Sequence, residues 1–260
     1  MSKIIAIAGK GGSGKTTVAA LLIRELRIRG KVPVLAIDAD PVASLGPFLG
    51  IKAEKTIGAV EQEFQNAREK IPPGMTKAGY LEILLNGAIA ENKGVDLLVM
   101  GRPEGPGCYC SVHNMLRDFI EKLSANYPFL VVDNEAGMEH FSRGTIPRID
   151  QLILVSDPSR RGIKSAQSLV RLIRELEMKI PEYFLIVDRT RAGLPPELRA
   201  DLNGLGAKLL GVIPEDQEIT GLDLKDLPVT EIKKESAAAR AVSEICDQLI
   251  QKKDVTDSNG

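Results

Sequence analysis

The sequence lacks a charge excess of either sign, with 34 lysines and arginines standing against 35 aspartates and glutamates. Neutralising a phosphate backbone takes a basic surplus, so nucleic acid is not favoured as a partner. Any apolar stretch of membrane-spanning length is missing too. The N-terminus enters Ile4-Ile5-Ala6-Ile7-Ala8 and then a run of glycines, without a signal-peptide cleavage pattern. The expectation is a soluble, cytoplasmic protein with no membrane partner. Cysteine is scarce: Cys108, Cys110 and Cys246 are too few for a disulfide framework, and an odd count without a secretory signal points to reduced thiols. No internal repeat is present.

What is present is a chain of 260 residues, 43% of them hydrophobic, enough for a large buried core. One domain is expected over residues 1–251, with the polar tail 252–260 disordered and without function. Short apolar runs of strand length recur at residues 4–8, 34–38, 97–101, 129–133, 152–156, 184–188 and 209–213, separated by segments with helical periodicity. This alternation predicts an α/β fold with a mostly parallel sheet of about seven or eight strands. The runs are nearly unbroken, as in Leu152-Ile153-Leu154-Val155, which suits strands covered by helices on both faces. Polar residues gather at their C-terminal ends, the edge where open α/β sheets bind ligands. Asp38, Asp133 and Asp188 stand there.

Residues 16–29 read as a helix directly after the first strand. Residues 164–177 read as another, with Ala166, Leu169, Val170, Ile173 and Leu176 on one face. Residues 56–94 form an insertion between the second and third strands, interrupted at Pro72-Pro73-Gly74 and expected to hold two helices and a partner-specific surface. Residues 238–250 read as an amphipathic helix in which Cys246 packs as a small hydrophobe.

The strongest local signal is Gly9-Lys10-Gly11-Gly12-Ser13-Gly14-Lys15-Thr16, a full match to G-x-x-x-x-G-K-[ST] between a predicted strand and a predicted helix. Glycines let backbone N–H groups converge on phosphate oxygens, while a positive helix N-terminus and the Lys15 ammonium offset their charge. Thr16 then offers its hydroxyl to magnesium. A plain glycine turn would not need a lysine and a hydroxyl at this spacing.

Lys10 adds a second cation inside the loop, so that Lys10-Gly11-Gly12-Ser13-Gly14-Lys15-Thr16-Thr17 resembles the deviant Walker A motif of the MinD, ParA and nitrogenase-iron-protein superfamily. The resemblance implies a P-loop NTPase fold, ATP and ADP as ligands, and a homodimer in which Lys10 reaches the partner's nucleotide and offsets transition-state charge in trans. It also marks Asp38-Ala39-Asp40-Pro41 as a first switch, with Asp40 orienting the attacking water. Asp38 would support magnesium through the metal's waters, the bland alternative being an Asx turn at a strand end. Asp133-Asn134-Glu135-Ala136-Gly137 is similar to the second switch, with Asp133 bound to magnesium through water and Gly137 near the γ-phosphate. Such loops order around γ-phosphate and relax after hydrolysis.

For the base, the family places an asparagine after its sixth strand, whereas Ile186-Val187-Asp188-Arg189 carries an aspartate. Asp188 can accept from the adenine N6 amino group but cannot donate to N7, and carboxylates also read guanine elsewhere. ATP remains the expected nucleotide. Gly211-Val212-Ile213-Pro214-Glu215 resembles the segment that closes the other side of the base, with Pro214 packed on the ring. A strand followed by a turn is the bland alternative.

Gly107-Cys108-Tyr109-Cys110 follows a glycine- and proline-rich stretch at 101–107 that reads as an exposed loop. Two thiolates do not complete a tetrahedral soft-metal site, and a symmetric dimer would supply two more. Together with Ala136-Gly137-Met138-Glu139-His140-Phe141-Ser142-Arg143-Gly144-Thr145, this segment resembles the CooC family of nickel-insertion ATPases, from Lys3 to the C-terminal helix. The resemblance implies Ni2+ at Cys108 and Cys110 of both subunits, delivered to a carbon monoxide dehydrogenase or an acetyl-CoA synthase. Thiolates also bind Zn2+ and copper. His113 and His140 read as surface and structural histidines rather than ligands. A bridging iron–sulfur cluster, as in the nitrogenase iron protein, is the alternative use of four interface thiolates. A MinD-like positioning role is the third, and residues 251–260 lack the amphipathic face it would use on a membrane.

Overall fold

Each of the seven apolar runs forms a strand in the computed structural model, which describes residues 2–67, 71–102, 110–135, 145–191, 193–202 and 204–250. In chain order the strands are β1 (Lys3–Gly9), β2 (Val34–Ala39), β3 (Ala90–Asn92), β4 (Val95–Val99), β5 (Phe129–Asn134), β6 (Gln151–Ser156), β7 (Glu182–Thr190) and β8 (Lys208–Pro214). They build one sheet in the order β3-β4-β2-β5-β1-β6-β7-β8. Every pairing is parallel except that of β3 with β4. The eight-stranded, mostly parallel sheet is the expected fold class.

The unbroken apolar runs have the physical cause inferred for them. Ile4, Ala6 and Ala8 of β1 point into one core layer, while Ile5 and Ile7 point into the other. With both faces of the central strands covered, their positions are shielded from water, so alternation disappears there. The layer holding Ile5 and Ile7 is closed by helix α1 (Lys15–Ile28) and by the C-terminal helix Ala237–Ile250, where Cys246 is fully buried. These two helices are also tied by polar bonds, since Arg29 donates to the Ser243 carbonyl at 2.9 Å.

After β2 comes the short helix α2 (Leu45–Leu49), and the insertion that follows contains α3 (Ile57–Asn66) and α4 (Lys77–Asn86). The two helices expected there are α3 and α4, each started by a threonine whose hydroxyl accepts an N–H three residues on: Thr56 from Ala59 and Thr76 from Gly79. Strand β3 was not anticipated, because it has three residues and none is buried. The helix expected at 164–177 spans Arg160–Glu175 and buries Ala166, Val170 and Ile173. Leu176 lies past its last turn and is 46% exposed, so it does not belong to the packed face.

Among the described residues no helix is long and apolar enough to cross a membrane. The tail 252–260, Cys108, Tyr109, Gly137 and His140 lie outside the described residues, as does most of the stretch 101–107.

Candidate nucleotide site

The glycine-rich segment leaves β1 at Gly9 and enters α1 at Lys15, in the middle of the sheet between β5 and β6. Gly14 takes φ 96° at the helix N-cap, a left-handed conformation open to glycine at little cost. The Ser13 N–H donates to the Lys10 carbonyl at 3.1 Å and closes a tight turn. Gly11 and Gly12 are exposed, Ser13 is buried and Thr17 is half-buried. The Lys15 side chain folds inward and reaches the Lys10 carbonyl at 3.4 Å, while Lys10 itself is exposed. The loop therefore presents one cation inside the cradle and one outside it.

Strand register brings the acidic residues to this loop. Asp38 of β2 is paired with Asp133 of β5, and Ile7 of β1 with Asp133 on the other side. Thr16 Oγ1 donates to Asp133 Oδ2 at 2.7 Å. Asp133 is wholly buried, and among the described residues its Oδ1 has no hydrogen-bond partner. Burial pushes its carboxyl up to about 7; the Thr16 hydrogen bond and Lys15 oppose the shift, whereas the carboxylates of Asp38 and Asp40 add to it.

A buried carboxylate oxygen left unpaired is costly. Beside a threonine hydroxyl at the head of a phosphate loop, it suits a hard cation that takes oxygen ligands and keeps several waters. The donor set thus fits magnesium, with Thr16 and Asp133 as the groups that would hold it or its waters.

Asp38 spends both oxygens on backbone. Oδ1 accepts from the Asp40 N–H at 3.1 Å and Oδ2 from the Leu45 N–H at 2.8 Å, so the carboxylate fastens the turn that carries Asp40. This is the Asx-type geometry weighed as the bland alternative. Burial nevertheless pushes Asp38 up to about 6. Asp40 is partly exposed and accepts from the Val42 N–H at 2.9 Å. The neighbouring Asn134, which carried no assignment in the sequence, is buried and donates to the Ile7 carbonyl at 2.8 Å, locking β5 to β1 beside the loop.

Asp188 ends up against the phosphate loop. It is 4% exposed, and a β-carbon added to Gly14 would lie 2.0 Å from its Oδ2. Burial pushes its carboxyl up to about 6, with Arg189 opposing. Pro214 closes β8 and is partly buried. Arg189 was passed over in the sequence, where only its position after Asp188 marked it.

Cys110 opens the helix α5 (Cys110–Ser124), which follows β4 in the chain. The Met100 N–H, just past β4, donates to the Asp38 carbonyl at 2.8 Å, and the Met100 carbonyl accepts from Gly58. The chain at Met100 is therefore anchored to the strand end that carries Asp38. Among the described residues, no three His, Cys, Asp or Glu side chains are grouped so that they could hold a metal by themselves.

A strand, a glycine loop, a helix and an acidic strand end in register define a P-loop nucleotide-binding site. The chain belongs to the CobQ/CobB/MinD/ParA nucleotide-binding domain family, whose pattern matches residues 4–229. An uncharacterised ATP-binding protein of Methanocaldococcus jannaschii is 40% identical over 96% of this chain and 99% of its own. The carbon monoxide dehydrogenase accessory protein CooC of Rhodospirillum rubrum is 33% identical over 67% of this chain and 70% of its own. Among solved structures, the septum site-determining protein MinD of Pyrococcus horikoshii, complexed with Mg-ADP, has the same fold. It covers 96% of this chain and 97% of its own with a TM-score of 0.70 at 24% identity.

Proposed function

We propose that this protein is an ATP-hydrolysing metallochaperone that works as a homodimer, binds nickel at Cys108 and Cys110 of both subunits, and passes it to a carbon monoxide dehydrogenase or acetyl-CoA synthase. The observation that best supports it is the backbone bond between Asp38 and Met100, which stands ten positions before the Cys110 that opens a helix. In this reading a change at the first switch is passed along the chain from Met100 to the cysteines. The likeness to the Rhodospirillum rubrum accessory protein supports the choice of client.

In this reading the N–H groups of residues 11–16 and the Lys15 ammonium hold the ATP phosphates. Asp40 orients a water for attack on the γ-phosphorus, the bond to the β–γ bridging oxygen breaks, and ADP leaves with that electron pair. Lys10, exposed at the rim of the loop, offsets developing charge across the dimer, and Gly137 lies by the γ-phosphate. Asp188 and Pro214 face the base, with Asp188 doubling as a wall of the loop. Magnesium, held through Thr16, Asp133 and water, would supply charge neutralisation at the phosphates. Four thiolates from two subunits complete a tetrahedral soft-metal site whose affinity follows nucleotide state.

Anaerobic nickel titration with ADP, ATP or no nucleotide tests this reading, comparing wild type with Cys108→Ser/Cys110→Ser. Tight binding lost in the double variant is expected; unchanged binding would remove the metal site. A brown, oxygen-sensitive wild type would instead favour an iron–sulfur cluster at the same thiolates. Lys10→Ala should cut hydrolysis and weaken ATP-dependent dimerisation while nucleotide still binds. Normal dimerisation in that variant would take Lys10 out of the mechanism.

A further inference from the structure

Strands β7 and β8 fall out of step at the edge of the phosphate loop. Val187 pairs with Val212 and Thr190 with Pro214, so Asp188 and Arg189 together face Ile213. This is a β-bulge, with one extra residue on β7. Arg189 carries φ 56°, a left-handed conformation that a side chain rarely adopts and that persists only where the surroundings hold it. In a regular strand, consecutive side chains point to opposite faces. The bulge instead directs both at the glycine-rich loop.

Asp188 Oδ2 sits against Gly14 and lies 3.4 Å from Arg189 Nε. The Arg189 guanidinium then reaches over the loop and donates from Nη2 to the Gly12 carbonyl. The Gly12–Ser13 peptide is thereby held at both of its polar atoms, its oxygen by Arg189 and its N–H by the Lys10 carbonyl at 3.1 Å. Glycine loses more backbone freedom on ordering than any other residue, and Gly11 and Gly12 are adjacent and exposed. Without an external hold, nucleotide binding would have to offset that loss.

We infer that Arg189 is a positioning residue for nucleotide binding: anchored on Asp188, it keeps the Gly12–Ser13 peptide in the phosphate-cradling shape before nucleotide arrives. The inference rests on the nucleotide-binding reading of the site. Preorganisation strengthens binding by removing an ordering cost, and it leaves the chemical step untouched because Arg189 holds the loop rather than the γ-phosphate. Lysine supplies the charge but not the fork that spans Asp188 and the Gly12 carbonyl together.

The test combines equilibrium binding of a fluorescent ATP analogue with steady-state hydrolysis for wild type, Arg189→Ala and Arg189→Lys, alongside nucleotide-free melting curves. In Arg189→Ala both the Kd and the KM should rise about three- to tenfold, the range expected for one half-exposed charged hydrogen bond. Its kcat should stay within about twofold of wild type. Arg189→Lys should recover part of the loss in affinity, while the nucleotide-free melting temperatures of the three proteins should differ by no more than a few degrees. Unchanged Kd and KM in Arg189→Ala would overturn the inference while wild type still binds. So would a fall in kcat at constant KM, or a loss of affinity that tracks nucleotide-free stability and is not recovered by lysine. A wild type that binds no nucleotide would overturn the reading of the site and this inference together.

Discussion

Thr16 Oγ1 donates to Asp133 Oδ2 at 2.7 Å, joining residues 117 positions apart in the chain. The bond links the head of α1 to the end of β5. It satisfies one carboxylate oxygen, and among the described residues the other, Oδ1, is buried without a partner. The site is thus assembled around a buried carboxylate oxygen that stands beside the phosphate loop.

That oxygen makes stability depend on pH. Burial raises the Asp133 carboxyl from 3.8 to about 7, so the folded protein keeps a proton there that the unfolded chain releases. Between those two values the folded state binds more protons, and stability falls as pH rises. Asp38 and Asp188, both raised to about 6 by burial, act in the same direction. Nucleotide-free Asp133→Asn should therefore melt a few degrees above wild type at pH 8, a gain on the order of 1–3 kcal/mol, with the gap closing toward pH 4. The same variant should lose the magnesium dependence of nucleotide binding. Calorimetry across this pH range is the check, and coincident melting at pH 8 would contradict the argument.

Asp38 fastens the turn that presents Asp40. In Asp38→Ala the N–H of Asp40 and the buried N–H of Leu45 lose their acceptors. An unsatisfied buried donor costs about 1–3 kcal/mol, reduced here by removal of a buried carboxylate. Hydrogen exchange should accelerate at both amides by at least about tenfold, and hydrolysis should fall with it. Retained protection at both amides would show that the turn does not depend on Asp38.

Gly14 and Asp188 leave each other no spare room. Gly14→Ala places a β-carbon 2.0 Å from Asp188 Oδ2 at a φ of 96°. The expected loss exceeds about 2 kcal/mol, combining strain with overpacking. Asp188→Ala in the same chain removes the clash but not the backbone strain. Urea unfolding of both single variants and the double should then reveal coupling of about 1 kcal/mol toward rescue. Strictly additive losses would mean that the contact carries no energy.

Cys246 is wholly buried, and burial pushes its thiol up to about 12. The thiolate is the reactive form, so native Cys246 should resist iodoacetamide at pH 8 and react only on unfolding. Peptide mass spectrometry reads this directly. Rapid native alkylation of Cys246 would show that the C-terminal helix opens far more readily than its packing implies. Cys246→Ser should cost about 1–2 kcal/mol by burying a hydroxyl in an apolar layer.

The amino-acid sequence by itself determined the elements and the chemistry of the loop. Seven strands were legible because a parallel strand covered on both faces must be apolar at consecutive positions, as in Leu152-Ile153-Leu154-Val155. The phosphate loop was legible because its glycines, lysine and threonine act within eight consecutive residues. Strand β3 escaped because three residues, none of them buried, carry no periodic signal.

The tertiary structure alone decided which strand ends meet. The order β2-β5-β1 puts Asp38 in register with Asp133, and Asp133 beside Thr16. The bulge in β7 turns Asp188 onto Gly14 and Arg189 onto Gly12. These relations join residues from 95 positions apart, Asp38 and Asp133, to 177 apart, Gly12 and Arg189, where no local period or propensity acts. They arise only when strand order and register bring the C-terminal edge of the sheet together, and burial at that edge then raises the carboxylates of Asp133 and Asp188.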